Sequence, residues 1–212
     1  MTHRKTRELI LATSLALFNE LGEPNVTTNH VADEAGISPG NLYYHFRNRE
    51  DIALELFKRY LLEIRPLLVI EEDAEPSMED LWLRLHLVFE LMGRYRFLFR
   101  NLTDLCARIS NLQRAVHALL DRQRKALLLM IESLRRQGII HIDGHETDNL
   151  VETMLLIITC WIPFAQASSN PGLADGQAQS DAVAQLLHLI LPYLREPEAS
   201  QVETLAHSYR ET

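Results

Sequence analysis

The stretch "GISPGNLYYHFRNRED", residues 36–51, sets two tyrosines, a histidine, two asparagines and two arginines within sixteen positions. Phenol and imidazole groups donate hydrogen bonds that suit phosphate oxygens, and an asparagine amide suits the edge of adenine. Leu42 and Phe46 stand four apart, so on a helix they share one face and turn inward. That leaves Gly40, Asn41, Tyr43, Tyr44 and His45 facing out, with Gly40 allowing close approach of the backbone. Asn48 is placed to cap a following helix whose first turn holds Glu50 and Asp51. Arg49 falls at that N-terminus, where a phosphate is doubly favoured. This chemistry recognises a nucleic-acid backbone and base edges; it neither makes nor breaks bonds.

The flanking residues supply the elements that hold this stretch. Thr27 or Thr28 caps a short helix with Val31, Ala32 and Ala35 on its inner face. Gly36 ends it, because so abrupt a turn requires positive φ. Ser38 caps the next helix, with Pro39 at its first position and Ile37 and Leu42 as a hydrophobic staple. Caps, turn and inner face agree on a helix-turn-helix. Before it, Leu9, Ile10, Leu15, Phe18 and Leu21 predict an amphipathic helix from Thr6, its cap, to Gly22, its stop. His3, Arg4 and Lys5 precede that helix as an arm, either a solvated terminus or a reach toward a neighbouring phosphate.

The 212 residues fit one large domain or a small head on a larger body, and 47% hydrophobic residues allow a sizeable core. Eight glycines and eight prolines favour helix, and period-2 runs rich in Val, Ile and Thr are almost absent. Residues 1–50 hold five Lys and Arg against six Asp and Glu, and residues 51–212 hold 16 against 23. The acidic body is repelled by phosphate, so only the head suits a polyanion. No window supplies the roughly 20 uninterrupted apolar residues of a membrane span. The basic, then apolar start lacks a small-residue cleavage site, so no signal peptide is expected. Two isolated cysteines suit a reducing cytoplasm.

Downstream, helices are expected at about 49–65, 78–92, 112–137, 146–167 and 180–194, with short elements near 95–108. "EEDAEPSMED" reads as a solvated loop in which Ser77 caps a helix. Pro163 is expected to kink its helix, "SSNPGLADGQAQ" to form a loop, and the tail after Pro197 to fray. The fold class is therefore all-α, with a three-helix helix-turn-helix head at 1–48 and a helical bundle at 49–212.

Residues 27–51 resemble the TetR family of bacterial transcription regulators. The likeness rests on Thr27, Thr28, Val31, Ala32, Ala35 to Ser38, Leu42 to Phe46 and the Arg49-Glu50 pair. It implies a homodimer on a palindromic duplex operator, and a body with a small-molecule pocket whose occupation spreads the heads and releases DNA. By position, Thr28, Tyr43, His45 and Arg49 would contact phosphates, and Asn29, Gly40, Asn41 and Tyr44 would face bases. Asn29 stands where many family members carry arginine, so no operator sequence transfers. Arg4, Lys5 and Ser38 complete the expected DNA-contacting set.

In the body, Trp82, His86, Phe89, Met92, Phe97, Phe99, Cys106, His117 and Trp161 are either core or the lining of a cavity for a small hydrophobic or aromatic effector. Leu155, Ile158, Ile162, Leu186, Leu187, Ile190, Tyr193 and Leu194 supply apolar faces for a four-helix dimer interface. His141, Asp143, His145 and Glu146 have metal-ligand chemistry but sit in a glycine-broken turn, so neither metal nor cofactor is expected. Nothing in the spacing suggests an enzyme. The reading is a ligand-responsive repressor. Its rivals are a DNA-binding regulator controlled by a protein partner, and an enzyme or carrier with a vestigial head.

Overall fold

The computed structural model describes residues 3–71, 73–168 and 177–209. Among them helices account for all regular structure, apart from one isolated bridge between Ile140 and Leu194, as the composition predicts. The helices are α1 (His3–Leu21), α2 (Thr28–Glu34), α3 (Pro39–His45), α4 (Arg49–Ile64), α5 (Met78–Arg94), α6 (Arg96–Arg100), α7 (Leu102–Arg108), α8 (Ser110–Arg136), α9 (Gly144–Ala167), α10 (Gln177–Ile190) and α11 (Glu198–Ser208). They pack as two compact units. One comprises Met1–Glu63 and Arg94–Val116, the other Ile64–Gly93 and His117–Thr212. The expected head, 1–48, lies inside the first unit, which also takes in α6 and α7.

In the first unit, Ile10, Leu11 and Phe18 of α1 are fully buried, and the Phe18 ring meets Phe97 at 5.2 Å. α1 ends at Gly22, whose φ of 83° places it in the left-handed region. Asn19 ties α1 to α6: its Oδ1 accepts from the Phe97 N–H at 3.0 Å, and its Nδ2 donates to the Arg94 carbonyl at 2.8 Å. Tyr60 is wholly buried against Phe57, Tyr95 and Phe99. The start of α1 differs from expectation. The helix begins at His3, so Thr6 is a buried residue within it rather than its cap, and Arg4 and Lys5 are exposed helical residues rather than an extended arm.

In the second unit, Ser77 and Asp80 close a reciprocal box at the start of α5. The Asp80 N–H donates to Ser77 Oγ at 3.1 Å, and the Ser77 N–H donates to Asp80 Oδ2 at 2.8 Å. Asp143 caps α9, accepting from the Glu146 N–H at 2.7 Å, so part of the "HIDGHE" turn is spent on a helix start. α9 continues through Pro163 to Ala167. Of the loop expected at 168–179, residues 169–176 lie outside the described residues, and α10 already begins at Gln177.

Two expectations are corrected here. Within the described residues, which end at Tyr209, the tail is ordered: α11 buries Val202 and Ala206, and Tyr209 docks on α5. The expected dimer residues Leu155, Ile158, Ile162, Leu186, Leu187, Ile190 and Leu194 are buried within the protomer, and Tyr193 is half-buried. α9 is apolar on several sides, and its own unit fills one of them, since α10 packs along it. The large apolar side chains left exposed on α9 are Leu156, at 62%, and Phe164, at 60%, with exposed Cys160 midway between them in sequence. Such spacing, at successive fourth positions, forms one stripe. By length and composition α9 alone among the described helices is apolar enough to cross a membrane.

Candidate nucleic-acid interface

The interface is built by caps and one glycine. Thr27 accepts from the His30 N–H at 3.1 Å and starts α2. Val31 and Ala32 are buried, and Ala32 is small enough for α3 to cross closely. Gly36, at φ 63°, reverses the chain, and the Ile37 N–H closes the turn on the Ala32 carbonyl at 3.0 Å. Ser38 accepts from the Asn41 N–H at 3.3 Å to cap α3, with Pro39 at its first position. Leu42 and Phe46 then anchor α3 inward, at 0% and 5% exposure.

This leaves a polar, ring-bearing face in solvent. Asn29, Ser38, Gly40, Asn41, Tyr43 and Tyr44 are exposed, with Tyr44 at 73%. The Thr28 and Tyr43 hydroxyls meet at 3.0 Å, which fixes both at one point of the surface. His45 is half-buried under the first turn of α1, its ring 4.4 Å from that of His3. Arg7 sits over the Phe46 ring at 5.1 Å and pairs with Glu55 at 2.9 Å, which fastens α1 to α3 and α4. Ten of the eleven expected DNA contacts are thus gathered on α2, α3 and the exposed start of α1.

Arg49 is the exception. Its Nη1 donates to the carbonyls of Pro24 at 2.8 Å and Val26 at 3.3 Å, and its Nε lies 2.7 Å from Glu23 Oε1. Glu23 has no exposed side-chain surface, and its other oxygen accepts from Arg108 of α7 at 2.7 Å. Arg108 also reaches Glu50 and Asp104, both at 2.9 Å. Burial pulls the Arg108 pKa down, and the hydrogen bonds to Asp104 and Glu23 more than offset this, so it stands above its ordinary value. Arg49 is therefore the counter-ion of a buried carboxylate, not a free phosphate ligand. Glu23, Asn19 and Arg108 are the residues that sequence reasoning passed over. Glu23 carries no local signal of its role, because its partner Arg108 is 85 residues away.

Gly40 allows a clean test. A Cβ built there meets nothing within 4 Å, so the free protein has room for alanine. Gly40→Ala is expected to leave the melting temperature equal or slightly higher, because alanine is favoured in helices by roughly 0.5–1 kcal/mol. Its DNA affinity is expected to fall about tenfold, the low end of what one good base contact is worth. Unchanged affinity in an equilibrium titration would show that nothing approaches this backbone.

The residues expected to line one effector pocket are divided between the two units. Phe97 and Phe99 pack in the first unit against Phe18 and Tyr60. Cys106 is half-buried in α7, and burial pushes its thiol pKa up, away from reactivity. His117 is exposed. In the second unit Phe89 and Met92 are buried, and Trp161 donates its indole N–H to the Ala178 carbonyl. Trp82 donates to the Tyr209 hydroxyl at 2.7 Å, and that hydroxyl lies 2.8 Å from His86 Nδ1. An apolar cavity of ≈ 40 Å³ exists in this unit, lined by none of the nine. Leu67, Leu68, Leu81, Leu85, Leu127 and Met130 form much of it, with Arg84 and Gln123 as polar members. Among the described residues no group of three His, Cys, Asp or Glu is placed to hold a metal.

Comparison with known proteins agrees with this geometry. The family described as bacterial regulatory proteins, tetR family, matches residues 10–56, and a second, described as bacterial transcriptional repressor (TetR), matches residues 59–202. The repressor KstR2 of Mycolicibacterium smegmatis is 24% identical over 183 residues, covering 86% of this chain and 72% of its own length. The regulator YerO of Bacillus subtilis is 33% identical over 87 residues, which is 40% of this chain; that match spans only 30% of YerO. A crystal structure of a TetR-family regulator from Marinobacter aquaeolei VT8 superposes with a TM-score of 0.87 at 34% identity, covering 99% of both chains. Matches over both parts of the chain and a shared fold from end to end place it in the TetR family of bacterial transcriptional regulators, DNA-binding proteins and not enzymes.

Proposed function

We propose that α3, presented by α2 and the start of α1, enters the major groove of a palindromic operator and that the bound dimer represses transcription in the cytoplasm. The observation that carries this is the exposed row Gly40, Asn41, Tyr43 and Tyr44 on a helix fixed at its start by Ser38 and inward by Leu42 and Phe46. Thr28, Tyr43 and His45 serve as phosphate ligands, and Asn29, Asn41 and Tyr44 as base contacts; Arg4 and Lys5 add positive charge at the rim. Selection of genomic fragments by the purified protein tests the reading.

The dimer forms through the stripe of α9 that the protomer leaves open, Leu156, Cys160 and Phe164, rather than through the buried residues expected from the sequence. Leu156→Glu with Phe164→Glu is expected to give a species of 24.4 kDa by light scattering at micromolar concentration, where the native chain gives twice that mass. A double variant that stays dimeric would place the interface elsewhere.

The effector belongs to the second unit. A cavity of ≈ 40 Å³ is far below the roughly 300–1,000 Å³ of pockets for drug-sized ligands. To enter this cavity, an apolar or aromatic effector would have to displace part of its lining, which includes Leu67, Leu68 and Ile70. The same small volume favours the rival reading, control by a protein partner. An apolar compound that raises the melting temperature and weakens DNA binding selects the first reading. A broad compound set without that effect selects the second.

A further inference from the structure

The first turn of α1 is built against the end of α3 by rings. His3 lies 4.4 Å from His45 and 5.4 Å from Tyr44, ring centre to ring centre, and Tyr44 and His45 are 5.4 Å apart. The charges around this cluster are already disposed of, or are positive. From α1 come His3 and Arg7, and Arg7 is paired with Glu55 of α4, which Lys58 also approaches at 3.6 Å. From the turn before α4 comes Arg47, paired with Asp51 at 2.9 Å. Arg4 and Lys5 stand exposed beside His3. Among the described residues neither imidazole has a carboxylate within ion-pair distance. Two adjacent imidazoles with no carboxylate of their own, beside exposed Arg4 and Lys5, form a site open to an anion.

We propose that His3 and His45 together hold one DNA phosphate and that this head takes up a proton from solvent, onto an imidazole nitrogen, when it binds. The proposal rests on the reading that α3 faces DNA, and it adds His3 to the contacting residues. In the free protein, burial and then the neighbouring His3 and Arg7 hold the His45 pKa below its usual value. A phosphate against the pair favours the charged form, so the bound state has the higher pKa. The sign follows. Affinity is greatest below the free-state pKa, falls as pH rises toward the bound-state pKa, and is flat above it. One proton taken up gives at most about a tenfold loss of affinity per pH unit within that window.

The test uses the full chain and a random-sequence duplex of fixed length. Affinity is measured by fluorescence anisotropy from pH 5.5 to 8.5 at constant ionic strength. The expected result is a Kd that rises about tenfold across the range. His45→Gln should flatten the curve, His3→Gln should make it shallower, and His30→Gln, on α2, should keep the native slope. All three variants should melt with the native chain, since His3 is exposed and His45 and His30 are half-buried. Tight binding with no pH dependence, or a slope that survives in the His3→Gln, His45→Gln double variant, overturns the proposal and leaves the DNA reading standing. No binding to duplex at any pH overturns both.

Discussion

Arg49→Met is expected to lower stability by about 3 kcal/mol, the low end of what breaking a buried ion pair costs. The position that a family resemblance assigns to a phosphate is a keystone of the first unit. Glu23 is fully enclosed, and its charge is met by two guanidinium groups, each side chain less than a third exposed. With Arg49 gone, Arg108 remains, so the carboxylate is left half-compensated rather than bare. The carbonyls of Pro24 and Val26 also lose their donor. For a chain of this size the loss corresponds to a fall in melting temperature of roughly 6–12 °C. Arg108→Met acts on the same carboxylate from α7 and should cost a comparable amount, and the pair should be non-additive. A native melting temperature for Arg49→Met, with DNA affinity alone reduced, would return Arg49 to the phosphate role.

Tyr44→Ala is expected to do the reverse. At 73% exposure the ring buries little, so stability should change by no more than about 0.5 kcal/mol. Affinity for the operator should fall about 10- to 100-fold, the equivalent of roughly 1–3 kcal/mol for one lost base contact. Tyr43→Phe separates the phosphate role from the base role. It keeps the ring and deletes the hydroxyl that meets Thr28 at 3.0 Å. Its loss should be smaller than that of Tyr44→Ala and should weaken all duplexes alike, because phosphate contacts carry no sequence. The two variants, measured with melting and binding side by side, distinguish a recognition surface from a patch that only packs.

The parts of this molecule governed by neighbours in sequence were legible in it. Ser38, Asn48 and Ser77 each accept a hydrogen bond from an N–H three residues on, and Gly22 and Gly36 take the left-handed conformation where the helices stop. Such bonds reach one turn, so a short window contains both partners. What was missed is held by distant partners. α1 starts early because His3 packs on Tyr44 and His45, forty residues downstream, and no cap signal marks that. Glu23 was passed over, and Arg49 was read without it, because burial of a charge depends on a second arginine from α7. α9 shows the same limit. Its apolar residues were visible, but which of them would face α10 depends on how the body folds. The stripe assigned to a partner proved to be the protomer's own core, and the open stripe is Leu156 and Phe164. The aromatic residues expected to share a pocket were divided between two units for the same reason.

The central claim is that the exposed face of α3 reads DNA. The most direct measurement is selection of duplex fragments from the encoding genome by the purified chain, beside its Tyr44→Ala variant, at two salt concentrations. The account predicts that the native chain enriches a short, twofold-symmetric sequence, that enrichment weakens at the higher salt as phosphate contacts are screened, and that the variant loses it. Enrichment of no sequence, or of the same sequence equally by both proteins, would contradict it.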